Sequence, residues 1–308
     1  MKSVKGLWWI GCIFLVSCLS TKKVTTYGGI GEDKSIFYYH TGKGEPIVIV
    51  HGGPGLNHSY FLPYLNRLAD SYHLIYYDQK ACGQAEIPAD TNAMKLNAFV
   101  EDIETVRKKF GLKQMHLMAH SWGALLAVQY AVLYPNHLKS LMLVSPAAIS
   151  SADVREASRL INGKFEHSDQ MARSRIIESQ AFKSNRPEAM AELIRLSFKQ
   201  NMALKNLADS IRIYIPQDFS KRNGALRYLF KDLASYDYYP QLPKIETPTL
   251  VICGDQDVGL PFAEKIQQLI PSSRLSRIEN SGHFPFIEQP QEFRHQVVQF
   301  LTSIQAKK

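Results

Sequence analysis

The sequence predicts an α/β protein, with one mostly parallel sheet flanked by helices and a helical insertion before the last strands. Two observations predict the sheet. Short apolar runs rich in β-branched residues alternate with longer stretches of helical periodicity. Strands separated by helices imply parallel pairing through right-handed crossovers. A third observation predicts the insertion. From Pro146 to Tyr239 the sequence turns helical and polar, and the strand pattern returns only after it.

Taken in order, residues 35–40 (SIFYYH) and 46–51 (PIVIVH) read as strands, and 60–70 (YFLPYLNRLAD) as an amphipathic helix. Residues 72–78 (YHLIYYD) read as a strand. The helical periodicity of 96–111 ends in basic residues and Gly111, a C-terminal stop. Residues 114–120 read as a strand, 122–135 as a helix and 138–145 as a strand. After the insertion come strands at 247–254 and 273–280, then an amphipathic helix over 290–304. This layout assigns a first core part to residues 18–145, a helical cap to 146–239 and a second core part to 240–308. Such a cap is expected over the carboxyl ends of the strands, where open α/β sheets bind ligands.

Residues 1–17 are expected to form a separate leader. Lys2 and Lys5 precede an apolar run from Leu7 to Val16, followed by small residues, the layout of a secretory signal. The run is shorter than the roughly 20 residues that span a bilayer. The segment LVSC resembles the lipobox of bacterial lipoproteins, which implies cleavage before Cys18 and a lipid on its thiol. The expected location is the bacterial cell envelope, lipid-anchored, with the folded domain in the periplasm.

The chain has 308 residues, 45% of them hydrophobic, enough for a large core. Two of its net +8 charges lie in the leader, and the rest are scattered among acids, so no nucleic-acid surface is expected. After Cys18 only Cys82 and Cys253 remain, read as a loop thiol and a buried strand-end thiol, both free. Neither C-x-x-C nor H-E-x-x-H occurs, and no metal or cofactor is called for.

The chemistry centres on Ser121, in LMAHSWGALLA (117–127), at the junction of a predicted strand and a predicted helix. That is the setting of a nucleophile elbow, although serine is also an ordinary helix N-cap. Ala119 stands where the G-x-S-x-G pattern has its first glycine, and Gly123 fills the second. A hydroxyl needs a base, and the base needs an acid to orient it. His283 lies in a loop between the last strand and the last helix. Asp255 and Asp257 follow the strand before it. The chain order Ser, Asp, His, each just beyond a strand, is that of the α/β-hydrolases. HGGPG (51–55) follows another strand and can bring main-chain N–H groups close to a substrate.

The segments HGGPG, YYDQKACGQ, AHSWGALLAVQYA, GDQD and GHFPFIEQP resemble the proline iminopeptidase branch of the α/β-hydrolases, over about 45–146 and 247–303. The resemblance implies the α/β-hydrolase fold with a cap, Ser121 as nucleophile, His283 as base and Asp257, matching G-x-x-D, as acid, with Asp255 the alternative. It also implies an oxyanion hole from the N–H groups of Gly53 and Trp122. Where the branch reads D-Q-R-G-x-G-x-S, this chain has Asp78-Gln79-Lys80-Ala81-Cys82-Gly83-Gln84-Ala85. The expected function is a serine hydrolase acting through an acyl-enzyme, an aminopeptidase on short peptides. Its alternative is an esterase, lactonase or amidase on a small non-peptide substrate. A substrate amine in a covered pocket needs a carboxylate. The cap offers acids such as Glu178, Glu188, Glu192, Asp232 and Asp237. A non-catalytic binding lipoprotein is the contrasting class, and it would not require Ser, His and Asp together.

Overall fold

The computed structural model describes residues 26–30 and 36–306. The leader, residues 1–17, and Cys18 lie outside the described residues. Among those described, no helix is long and apolar enough to cross a membrane.

Among the described residues eight strands form one sheet: β1 (Thr26–Ile30), β2 (Phe37–Thr41), β3 (Glu45–Val50), β4 (Tyr72–Asp78), β5 (Met115–His120), β6 (Leu138–Val144), β7 (Thr249–Gly254) and β8 (Ser273–Ile278). Their order is β1-β2-β4-β3-β5-β6-β7-β8. From β4 to β8 every neighbouring pair is parallel, and β1 and β2 run antiparallel at one edge. The chain passes from β3 outward to β4, then returns to place β5 on the other side of β3. That reversal opens a crevice beyond the carboxyl ends of β3 and β5.

The period of two explains the layers. Val48 and Val50 face one side of the sheet, with Phe99 and Ile103 of α1 (Leu96–Lys109) and Leu125 and Val128 of α2 (Trp122–Leu133). Ile47 and Ile49 face the other, with Phe61 and Leu65. α2 is buried nearly all round, as expected of a helix so uniformly apolar.

Five helices lie between β6 and β7: α3 (Ser151–Gly163), α4 (His167–Glu178), α5 (Gln180–Lys183), α6 (Pro187–Gln200) and α7 (Phe219–Asp232). The segment is closed at its neck, where the Ser151 N–H donates to the Tyr236 carbonyl and the Tyr238 N–H to that of Ile149. The chain ends with α8 (Leu260–Leu269), α9 (Pro285–Glu288) and α10 (Pro290–Gln305).

Three readings change. Residues 60–70 are not one helix. They form two 3₁₀ turns, His58–Phe61 and Tyr64–Leu68, because Pro63 lacks an N–H and its ring excludes a continuous α-helix. β1 and α8 were not anticipated. β1, TYGGI, carries two glycines and no apolar alternation. Cys82 and Cys253 are free, as expected, and both are buried.

Candidate active site

The crevice collects the segments that leave β3, β4 and β5. Ser121 follows His120, the last residue of β5, and adopts φ 53°, ψ −122°, a strained conformation for a side chain-bearing residue. The turn it makes is held by the Ser121 N–H on the Val144 carbonyl and by the Ala147 and Ala124 N–H groups on the Ser121 carbonyl. The hydroxyl thus projects at the head of α2. Gly123 cannot be larger, because a Cβ there would lie 2.7 Å from the Val50 carbonyl oxygen and 2.8 Å from that of His51. Ala119, where the motif has a glycine, is accommodated fully buried.

His283 Nε2 lies 2.9 Å from Ser121 Oγ. Its Nδ1 lies 2.9 Å from Asp257 Oδ2, and the Gly259 N–H donates to Asp257 Oδ1 at 2.8 Å. The Cys253 thiol points at Oδ2 from beneath, at 3.6 Å. Asp255 is exposed and makes another contact: its Oδ1 accepts the Ser281 N–H. Ser121, Asp257 and His283 are therefore brought together, and Asp255 braces the loop.

Burial disfavours charge on both partners, but each favours the charged form of the other. Asp257 is held at about 2 by the facing imidazole, the Gly259 N–H and the Ser145 hydroxyl. His283 is raised above its ordinary value by Asp257, with a smaller contribution from Glu288, against burial and the Lys164 ammonium. The His283 side chain keeps 20% of its surface open.

His51-Gly52-Gly53 leaves β3 beside this turn. The Gly52 N–H donates to Tyr60 Oη at 2.7 Å, and the next residue, Gly53, turns with φ 43°. Trp122 is the first residue of α2, and the N–H groups of a first helical turn have no partner within the helix. Its indole N–H reaches Gln79 Oε1 at 2.9 Å, and Gln79 Nε2 donates to the His51 carbonyl at 2.8 Å. Gln79, a position this chain shares with the D-Q-R-G-x-G-x-S pattern, therefore ties Trp122 to the HGGPG segment. Lys80 turns away to pair with Asp102, and Asp78 accepts the His58 and Gln84 N–H groups.

His120 belongs to the site, although the sequence suggests no more than a strand end. The Tyr60 hydroxyl donates to its Nδ1 at 2.8 Å, and its Nε2 donates to the His283 carbonyl at 2.9 Å. Burial and the neighbouring imidazole depress His120 to about 3, so it is neutral and holds this tautomer. The strand period was the available signal, since it puts His120 on the face opposite Ala119.

A cavity of about 340 Å³ starts at Pro54–Leu56, directly after Gly53, and runs under α6 and α7. Its wall is mostly apolar, with Leu193, Ile194 and Phe198, and its charged lining residues are Arg173 and Arg222. None of Glu178, Glu188, Glu192, Asp232 or Asp237 lines it. Asp232 accepts the Leu96 N–H and Asp237 the Tyr239 N–H, while Glu188 pairs with Arg186 at the surface.

Residues 45–290 match the α/β hydrolase fold family. The chain is 31% identical over 277 residues to a proline iminopeptidase of Heyndrickxia coagulans, covering 85% of this chain and 92% of that one. It is 31% identical over 265 residues to a proline iminopeptidase of Lactobacillus helveticus, covering 80% and 86%. Among solved structures it is similar to an alpha/beta fold family hydrolase from Bacillus anthracis, with TM-score 0.69 and 19% identity over 91% of this chain and 99% of that one. It is also similar to a proline iminopeptidase of Mycobacterium smegmatis, with TM-score 0.63 and 23% identity over 91% and 98%.

Proposed function

The chain belongs to the α/β-hydrolase family, in its proline iminopeptidase-like branch, and from that premise we propose that this hydrolase is a serine aminopeptidase of short peptides, with Ser121 its nucleophile. The observation that carries the reading is the pair of 2.9 Å contacts from His283, one to Ser121 Oγ and one to Asp257 Oδ2. Ser121 Oγ attacks the scissile carbonyl as His283 Nε2 takes its proton. The N–H groups of Gly53 and Trp122 receive the oxyanion. His283 returns the proton to the leaving amine, and water, deprotonated by the same imidazole, hydrolyses the acyl-enzyme. Asp257 keeps the Nδ1 proton in place and stabilises the imidazolium. One lost oxyanion donor costs about 3–4 kcal/mol of barrier.

The aminopeptidase specificity rests on the curated relatives, named as proline iminopeptidases. Arg173 on the cavity wall suits the carboxylate end of a short peptide, whereas Arg222 is held by Asp218 and the Ala85 carbonyl. A second reading, hydrolysis of a small ester or lactone, is favoured by the same wall, because it offers no carboxylate to a substrate amine. A fluorophosphonate probe tests the serine chemistry. It should label the wild type and fail on Ser121→Ala, and a folded wild type left unlabelled would point to a binding protein. The leader and Cys18 we read as an export signal and a lipid anchor, on the layout of the sequence alone.

A further inference from the structure

We propose that Glu288 is a positioning residue for His283, fastening the loop of the base to the end of helix α6 in the cap. The inference rests on the role assigned to His283 above.

Glu288 ends the short helix α9 and is 4% exposed. Its carboxylate accepts four backbone N–H groups. Oε1 takes those of Gly282 at 3.0 Å and Phe284 at 3.2 Å, the two residues flanking His283. Oε2 takes those of Ala203 at 2.7 Å and Leu204 at 3.0 Å, just beyond α6. The His283 N–H itself donates to the Asn201 carbonyl at 2.7 Å. Three consecutive N–H groups of the base loop are thus fixed, and the cap segment 201–204 supplies or shares every anchor. The two backbones meet so closely that a Cβ on Gly282 would lie 2.3 Å from the Asn201 oxygen.

A buried carboxylate is costly unless its oxygens are bonded, and here one side chain spends both on two separate pieces of chain. The same helix lines the cavity through Leu193, Ile194 and Phe198, and Phe198 packs on Phe284 with ring centroids 4.7 Å apart. Cap and base therefore move as one body. Displacement of α6 carries His283 with it, and an error of about 1 Å in a base costs on the order of 10²-fold in rate. The charge acts as well as the geometry. Four titratable groups face His283: Asp257 from the loop after β7, His120 from β5, Lys164 from the end of α3 and Glu288 from α9. Glu288 is one of the two that favour the imidazolium.

The test compares Glu288→Gln and Glu288→Asp with the wild type, using ester turnover, active-site titration and the low-field proton resonance of the His283–Asp257 hydrogen bond. Glu288→Gln should lower kcat per titrated site at least about tenfold, with KM little changed. It should also move the acidic limb of kcat/KM, and the titration of the low-field proton, down by roughly half a pH unit. Glu288→Asp keeps the charge but cannot reach both backbone pairs. It should lower kcat and leave the limb in place. Glu288→Gln with kcat within about twofold of wild type, or with lost turnover but an unmoved limb and proton, overturns the proposal. So does failure of both variants to fold, which assigns Glu288 to the fold alone. The proton is read without substrate, so an error in the assigned reaction leaves that readout intact.

Discussion

His120 Nε2 donates to the backbone carbonyl of His283 at 2.9 Å, and the two rings stand 4.9 Å apart. Nucleophile turn and base loop are joined by this bond and continue through Tyr60 to the N–H of Gly52. Tyr60→Phe removes the link in the middle and leaves the Gly52 N–H and His120 Nδ1 buried without a partner. Urea unfolding should show a loss of about 1–3 kcal/mol. His120→Leu should lower kcat about tenfold by freeing the base loop. Unchanged stability and turnover in both variants would show the chain of bonds to be idle.

His283→Ala should lower turnover at least about 10³-fold, and Asp257→Asn should also cost heavily, through the wrong tautomer and the unstabilised imidazolium. Asp255→Asn should be mild, because that exposed carboxylate accepts one N–H, from Ser281. Steady-state kinetics of the three variants decide, and a crippled Asp255→Asn beside a silent Asp257→Asn would reverse the assignment.

The pH dependence has a definite sign. A protonated His283 cannot take the Ser121 proton, so kcat/KM should fall as pH drops through its raised pKa, with the limb above 6.5. Asp257, held at about 2, stays ionised throughout that range. For stability the two act oppositely. The stabilisation from Asp257 is present above its unfolded pKa of about 3.9 and is lost as pH falls through about 2. That from His283 is full below its unfolded value of about 6.5 and fades as pH rises through its folded one. A limb well below 6.5 in the rate profile, or acid unfolding unaltered by Asp257→Asn, would contradict this picture.

Matched anilides separate the two substrate readings. An aminoacyl anilide with a free α-amine should be cleaved faster than its N-acetyl counterpart. Equal or faster cleavage of the acetylated compound would favour the ester reading, in line with a cavity whose charged lining residues are Arg173 and Arg222.

For the leader, mass spectrometry of the membrane fraction should find a mature chain that begins at a lipid-bearing Cys18. Cys18→Ser should leave the precursor uncleaved or release an unlipidated form. Intact Met1 with an unmodified Cys18 in the wild type would refute the anchor.

Much of the frame was legible because it follows local rules. β4 runs over Tyr72–Asp78, the predicted bounds, since an uninterrupted run of aromatic and aliphatic side chains reaches up to Asp78. Ser121 and His283 could be singled out because each follows a strand in a fixed chain order, whereas the choice of Asp257 over Asp255 came from the match to G-x-x-D. What escaped was tertiary. α8, LPFAEKIQQL, directly follows the acid loop, whose carboxylates are legible while the ten-residue helix behind them is not. Tyr60 reaches His120 from a 3₁₀ turn, His58–Phe61, where the sequence predicts a continuous helix. Nothing in EQP marks Glu288 as the acceptor of four N–H groups from two segments 80 residues apart, and no spacing tells which cap acids turn inward.

The 2.9 Å contact between Ser121 and His283 spans 162 residues of sequence. Such a contact closes late when a chain emerges from the ribosome amino end first. A nascent polypeptide that has extruded β5, β6 and the cap displays the serine with no base beside it. It gains one only when β7, β8 and the loop after them seat against the finished half of the sheet. On the proposed reading of Ser121 and His283, hydrolytic competence is therefore a reporter of completed synthesis: stalled or carboxyl-truncated products, which lack the proposed base, are expected to be silent.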